Sequence, residues 1–151
     1  MLSQDRYWGF DRHYSKASQV LDEAKSFEEK YQYDLSVRRA QEAFELLLKT
    51  MLLFMGREYP KDHDVGKVLY DVLDLLQELG ITTERVARTI LRSKTFHLWR
   101  GPSLYGDERL KLVPLFGEQE AGLAMRWAEE MRNDCYFVKI KVWERLVRKA
   151  E

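Results

Sequence analysis

Four residues have side chains that could carry chemistry: His13, His63, His97 and Cys135. The histidines are scattered, and carboxylates that would complete a metal site cannot be picked out, so the sequence predicts neither a metal centre nor a cofactor. The lone cysteine excludes an internal disulfide, and its amphipathic surroundings favour a buried thiol over a nucleophile. Gly-rich phosphate loops, Cys pairs, His-Glu metal helices and Gly-x-Ser-x-Gly elbows do not occur in the sequence.

Basic side chains are the second candidate feature. The whole chain has 25 basic and 25 acidic residues, which argues against a protein that coats nucleic acid through overall charge. The segment from Thr82 to Leu112 nevertheless has seven Lys or Arg against three Asp or Glu, whereas Val113 to Asp134 has two against five. The first of these segments can therefore form a small basic surface.

An aromatic and basic face lies within that segment. Arg85, Arg88 and Arg92 share one side of a predicted helix, with Trp99 on the same side and Arg100 beside it. Such a face could hold the phosphate backbone of RNA or a nucleotide and stack a base. A solvated helix face with a packed tryptophan is the alternative.

The hydrophobic pattern predicts helices that position these residues, and no alternating pattern predicts a strand. Three prolines fall where the helical pattern lapses, so they mark connections. The expected fold class is all-α, an up-and-down bundle of about five helices in one domain of residues 1–151, with an extension at 1–13 and a core at about 14–148. The predicted helices cover residues 14–30, 34–55, 64–79, 82–100 and 118–147, with a loop at 101–117.

The second predicted helix should be the central one. Asp34 is a good N-cap residue, Gly56 suits the left-handed position after a helix, and the stretch 51–55 is apolar on all sides. Such a stretch must be covered by several neighbours. The residues expected to face the core are Val37, Ala40, Phe44, Leu47 and Met51.

Neither a signal-peptide pattern nor an apolar stretch of membrane-spanning length is present in the sequence. We therefore expect a cytoplasmic protein that does not contact a membrane, and the single cysteine agrees with a reducing compartment.

The segment from Tyr33 to Lys49, YDLSVRRAQEAFELLLK, leads into GREYPKDHD at residues 56–64 and then to Leu69. These residues resemble the HEPN domain family, whose members typically have an alanine- and glutamine-containing helix before a Tyr-Pro-Lys-x-His-Asp turn. The resemblance is sharp between Tyr33 and Leu69 and covers the architecture of about residues 14–147. It implies a bundle of about five helices, usually a homodimer, and often a minimal nucleotidyltransferase partner in a toxin-antitoxin pair.

Some members of that family are metal-independent ribonucleases that use an Arg and a His separated by four to six residues. Arg92 and His97 have this spacing at the end of the fourth predicted helix, where active members place it. The resemblance thus implies that His97 moves a proton and that Arg92 neutralises charge on the phosphoryl group. Two other pairs also fall within the range of four to six intervening residues, at other positions in the chain: Arg6 with His13, and Arg57 with His63.

This sequence departs from the pattern of active members in two places. They often carry Asn directly after the Arg and, two residues after the His, a Tyr to which a nucleotidyltransferase can attach AMP. Ser93 and Trp99 stand there in this chain, so AMP attachment at that position is excluded, and Tyr105 is the candidate for a displaced acceptor.

Geometry sets a condition on the pair, because residues five apart on a straight helix point about 140° from each other. Arg92 and His97 converge only if the helix ends or bends between them. On a straight helix His97 would align with Val86, Ile90 and Ser93, as a core or interface histidine.

Three functions remain open from the sequence. The first is a metal-independent endoribonuclease, acting as a toxin held in check by a nucleotidyltransferase. The second is a non-catalytic dimeric HEPN module that binds a nucleotide or a nucleotidyltransferase subunit. The third is a helical adaptor whose long last helix mainly serves assembly.

Overall fold

The computed structural model describes the backbone of residues 4–105 and 116–150, and the side chains of residues 9–100 and 116–149. All regular structure in these ranges is helical, which confirms the expected all-α fold. The helices are α1 (Gln4–Glu29), α2 (Tyr33–Phe54), α3 (Val65–Asp71), α4 (Leu73–Glu78), α5 (Thr83–Tyr105) and α6 (Glu118–Ala150).

Helix α2 is central, as the sequence predicts. It packs against α1, α5 and α6, and all five residues predicted to face the core are at most 4% exposed: Val37, Ala40, Phe44, Leu47 and Met51. The hydroxyl of Ser36, fully buried, donates a hydrogen bond of 2.8 Å to the carbonyl of Ala24 and so ties α2 to α1. Gly56 follows α2 with a φ of +81°, the left-handed conformation expected of it.

The start of α2 differs in detail from the prediction. Gln32 occupies the N-cap position, and Asp34 lies within the first turn. The Asp34 carboxylate instead accepts a hydrogen bond of 3.0 Å from the backbone N–H of Phe116. Asp34 therefore anchors the chain just before α6.

Helix α1 begins ten residues earlier than predicted, at Gln4 instead of Tyr14. Its added turns are held by Phe10, which is 2% exposed and packs edge-on against Phe54 with ring centres 5.0 Å apart. Charged Asp11 and Arg12 directly follow Phe10 and interrupt the hydrophobic pattern there, so the pattern does not reveal this contact.

The predicted third helix is divided in two at Val72. Val72 adopts φ −108° and ψ 11°, and its N–H reaches back only to the carbonyl of Leu69, at 3.3 Å. This tight turn suits a β-branched residue of low helix propensity. Leu69, Val72 and Leu76 remain buried across the break, so the apolar pattern resembles that of one helix.

Helix α5 continues past the predicted end at Arg100, through Gly101 and Pro102 to Tyr105. Once a helix has formed, extending it by a few residues costs little free energy. Pro102 has no N–H to donate to the carbonyl of Leu98, but Leu98 is exposed, so water can bond to that carbonyl instead. The rest of the predicted loop up to residue 115 lies outside the described residues.

Candidate functional site

Helix α5 carries the six residues predicted for a site, and it is continuous between Arg92 and His97. Phe96, 2% exposed, anchors this part of the helix by packing on Phe44 of α2 at 5.1 Å. The side chain of Arg92 reaches α6, whereas that of His97 reaches the connection between α2 and α3. Within one copy of the chain, the two residues therefore contact different elements.

Arg92 is engaged by two residues of α6. Its guanidinium forms an ion pair with the carboxylate of Glu130 and lies over the ring of Trp127, 5.5 Å from the ring centre. The Arg92 side chain is 19% exposed and that of Glu130 44%, so solvent reaches the pair mainly from the Glu130 side. An anion can contact Arg92 only by displacing or joining this carboxylate.

Arg85 is held in the same way. It forms an ion pair with Asp134 of α6, and its guanidinium lies 5.8 Å from the centre of the Phe137 ring. The basic stretch of α5 and the acidic stretch of α6 thus neutralise each other in part, whereas Arg88 is exposed. The basic surface of α5 is therefore smaller than its number of arginines suggests.

Trp99 belongs to an aromatic cluster between α5 and α6. Its ring stacks on Trp127 at 5.9 Å with an interplanar angle of 14°, and it also contacts Phe96 and Phe116. One face of the indole is therefore already covered, so a base could stack only on the other. Arg100 follows it on the exposed side of α5, and the side chain of Tyr105 lies outside the described residues.

His97 is exposed, and its imidazole stacks on that of His63 with ring centres 5.0 Å apart and planes inclined by 25°. His63 in turn contacts Tyr59 edge-on at 5.9 Å. Nδ1 of His63 lies 3.6 Å from Oε1 of Glu45, and both side chains are 33% exposed. We call the depression formed around these rings the histidine cleft; its lining residues are Gln41, Phe44, Glu45, Tyr59, His63, Ser93, Phe96 and His97.

The lining of the histidine cleft includes two neutral polar side chains, Tyr59 and Ser93. Burial, followed by the negative charge of Glu45, raises the pKa of Tyr59 to about 12, although the side chain of Ser93, within hydrogen-bonding reach, and Arg100 act in the opposite direction. Tyr59 is therefore a neutral phenol at physiological pH, able to donate a proton in a hydrogen bond but not to serve as a base. Ser93 is also buried here, with 8% of its surface exposed.

The sequence marks His63 only as one of three histidines, and it assigns no role to Glu45 or Tyr59. The spacing of Gln41 and Glu45, one helical turn apart on α2, places two polar residues on one side, but nothing in the pattern shows that α5 brings His97 to them.

The family model for the HEPN domain matches residues 10–140. The chain belongs to the HEPN domain family. HEPN domains often dimerise. A comparison with curated proteins found no match. The histidine cleft is thus a feature of a HEPN domain, formed in part by the turn that carries Tyr59 and His63.

Two further findings bear on what this HEPN domain can bind. Among the described side chains, no group of three or more His, Cys, Asp or Glu is arranged to hold a metal ion. No helix in the described ranges combines the length and apolar character needed to cross a bilayer.

Proposed function

We propose that this HEPN domain is a metal-independent endoribonuclease in which His97 moves a proton. The observation that supports this most is the exposed imidazole of His97 at the rim of a cleft that holds a second imidazole and a carboxylate. Histidine changes charge near neutral pH, so an exposed imidazole can accept and return a proton during a reaction.

The reaction would be an internal transesterification of RNA. The ribose 2′-hydroxyl loses its proton to His97, and the 2′-oxygen attacks the adjacent phosphorus. The bond from phosphorus to the 5′-oxygen breaks, and that oxygen takes up a proton. The products are a 2′,3′-cyclic phosphate end and a 5′-hydroxyl end, and neither a metal nor a redox partner is required.

Arg92 would stabilise the negative charge on the phosphoryl group. Because it faces α6 within its own chain, it would contact the phosphate by releasing Glu130, whose side chain is 44% exposed. The energetic cost of this exchange is small, since a half-exposed ion pair contributes at most about 1 kcal/mol.

A homodimer would complete the site. Leu91 and Leu98, seven residues apart on the outward side of α5, are 64% and 76% exposed. Two exposed leucines beside the histidine cleft form an apolar surface that a second copy can cover. Since His97 directly precedes Leu98, a dimer across this surface would bring the clefts of the two copies to one interface.

A second candidate function is a non-catalytic HEPN module that binds a nucleotide or a nucleotidyltransferase subunit. The environment of the arginines favours it, because Arg85 and Arg92 are paired with carboxylates of α6 and Trp99 is stacked on Trp127. In that case these residues stabilise the bundle. The partner would bind the exposed surface formed by Arg88, Leu91 and Leu98.

The two functions can be separated with purified protein, an RNA substrate and EDTA. The ribonuclease produces cyclic phosphate ends in EDTA, and His97→Ala removes the activity. His13→Ala is the matched control, because His13 is an exposed histidine that lines a different depression, near the end of α2. Absence of His97-dependent cleavage, together with binding of a nucleotide or a nucleotidyltransferase, would instead support the non-catalytic module.

A further inference from the structure

We infer that His63 is a second catalytic residue of the histidine cleft, which donates the proton to the leaving 5′-oxygen while His97 accepts the proton from the 2′-hydroxyl. This inference rests on the proposed ribonuclease function and adds a residue to it. The pair of Arg92 and His97, which suggests a role for His97, does not include His63, which lies 34 positions earlier in the chain.

The first support is the distance between the two rings. Acid–base catalysis needs each group within hydrogen-bond reach of its own oxygen, and the two oxygens lie on opposite sides of the same phosphorus. Imidazole rings with centres 5.0 Å apart are close enough for each to approach one of these two oxygens of the same phosphodiester. The histidine cleft itself has room for about one water molecule, so the phosphodiester must approach from the solvent side, where His97 is exposed.

The second support is the backbone at His63. His63 has a φ of +60°, a left-handed conformation that few residues other than glycine adopt. The turn around it is held by hydrogen bonds from the His63 N–H to the Pro60 carbonyl and from the Asp64 N–H to the Asp62 carboxylate, both 3.1 Å. The surrounding structure must hold a residue other than glycine in this conformation. Residues held in this way are concentrated at functional sites.

The third support assigns the direction of proton transfer. Nδ1 of His63 faces Glu45, so a protonated His63 has a carboxylate at ion-pair distance and its Nε2–H remains available to the leaving oxygen. Within the described part of the chain, no carboxylate is paired with His97. Glu45 is then a positioning residue, which orients the ring of His63 as carboxylates commonly orient histidines.

The step is balanced. The 2′-hydroxyl proton moves to His97, the new oxygen–phosphorus bond forms, the bond to the 5′-oxygen breaks, and the His63 proton goes to the 5′-oxygen. His97 ends the step protonated and His63 neutral, and exchange with water restores both.

The test compares two substrates. One is ordinary RNA, whose 5′-oxygen leaves poorly without a proton. The other is a ribonucleoside 3′-phosphodiester with a 4-nitrophenyl leaving group, which leaves without one. His63→Asn is the main variant, because asparagine tolerates the left-handed backbone, and thermal unfolding monitors its fold.

We expect His63→Asn to slow RNA cleavage by roughly 100-fold or more and to leave cleavage of the nitrophenyl ester almost unchanged. His97→Asn should slow both. His63→Gly, which relieves the backbone conformation, should regain RNA cleavage when imidazole is added. That rescue would not occur if His63 only supported the turn.

Three results would overturn the inference. Equal RNA cleavage by His63→Asn and the wild-type protein would remove His63 from the reaction and leave the role of His97 intact. An equal loss on both substrates by His63→Asn, with no imidazole rescue of His63→Gly, would show that His63 is not the proton donor. Absence of His97-dependent cleavage by the wild-type protein would reject the proposed ribonuclease and this inference with it.

Discussion

The guanidinium of Arg92 on α5 forms an ion pair with the carboxylate of Glu130 on α6. If Arg92 binds the phosphate of RNA, Glu130 competes with that phosphate. Glu130→Gln removes the competing charge with little change of shape, so we expect RNA to bind about two- to fivefold more tightly, the range that corresponds to one half-exposed ion pair. A fluorescence titration with labelled RNA measures this.

Glu129→Gln is the control for the Glu130 prediction, since it removes the same charge from an exposed neighbouring position. Equal effects of the two variants would mean that only net charge matters and that Arg92 has no particular role in binding phosphate.

The hydrogen bond from Ser36 to the carbonyl of Ala24 gives a prediction for stability. Both residues are fully buried, so Ser36→Ala leaves the carbonyl of α1 without this partner. We expect a loss of about 1–3 kcal/mol in the free energy of unfolding, measured by urea denaturation. Ser15→Ala, at an exposed position of α1, should have little effect. A Ser36→Ala protein as stable as the wild type would show that this contact does not hold α1 to α2.

The phenol of Tyr59 should lose its proton at a higher pH than an ordinary tyrosine. Its pKa is raised from 10.0 to about 12, so neutral Tyr59 stabilises the folded state fully below pH 10, and this contribution is lost as the pH rises towards 12. The tyrosinate absorbance of the wild-type protein minus that of Tyr59→Phe should therefore increase near pH 12. The same difference should move to about pH 10 in denaturant. A folded-state difference already complete at pH 10 would contradict the proposed environment of Tyr59.

Cys135 should be unreactive in the folded protein. It is 0% exposed, and burial raises the pKa of its thiol. Because the thiolate is the reactive form, we expect a disulfide reagent such as Ellman's reagent to modify Cys135 slowly in buffer and at once in guanidinium chloride. Rapid reaction of the native protein would mean that α6 opens readily around this residue.

The sequence predicts well what depends on periodicity within one helix. The inward residues of α2, such as Val37 and Phe44, are buried because a 3.6-residue repeat places them on one face that must be covered. The length of α1 is not predicted, since its early turns depend on contacts with distant parts of the chain, such as the contact of Phe10 with Phe54. The contact forms only when two distant parts of the chain pack.

The candidate site shows the same division. Arg92 and His97 are selected by spacing and resemblance, but their directions follow from the unbroken α5. His63 reaches His97 through an irregular turn with left-handed backbone, which no periodic pattern describes. The opposite charge balances of the α5 and α6 segments are visible in the sequence, but only the three-dimensional pairing, such as Arg85 with Asp134, shows that they neutralise each other.

The central claim is most directly tested by the rate and end groups of RNA cleavage in EDTA, measured under single-turnover conditions for the wild-type protein and His97→Ala. The account predicts 2′,3′-cyclic phosphate and 5′-hydroxyl ends, with a rate that falls by roughly 100-fold or more in the variant. Equal rates for the two proteins, or no cleavage by either, would contradict it.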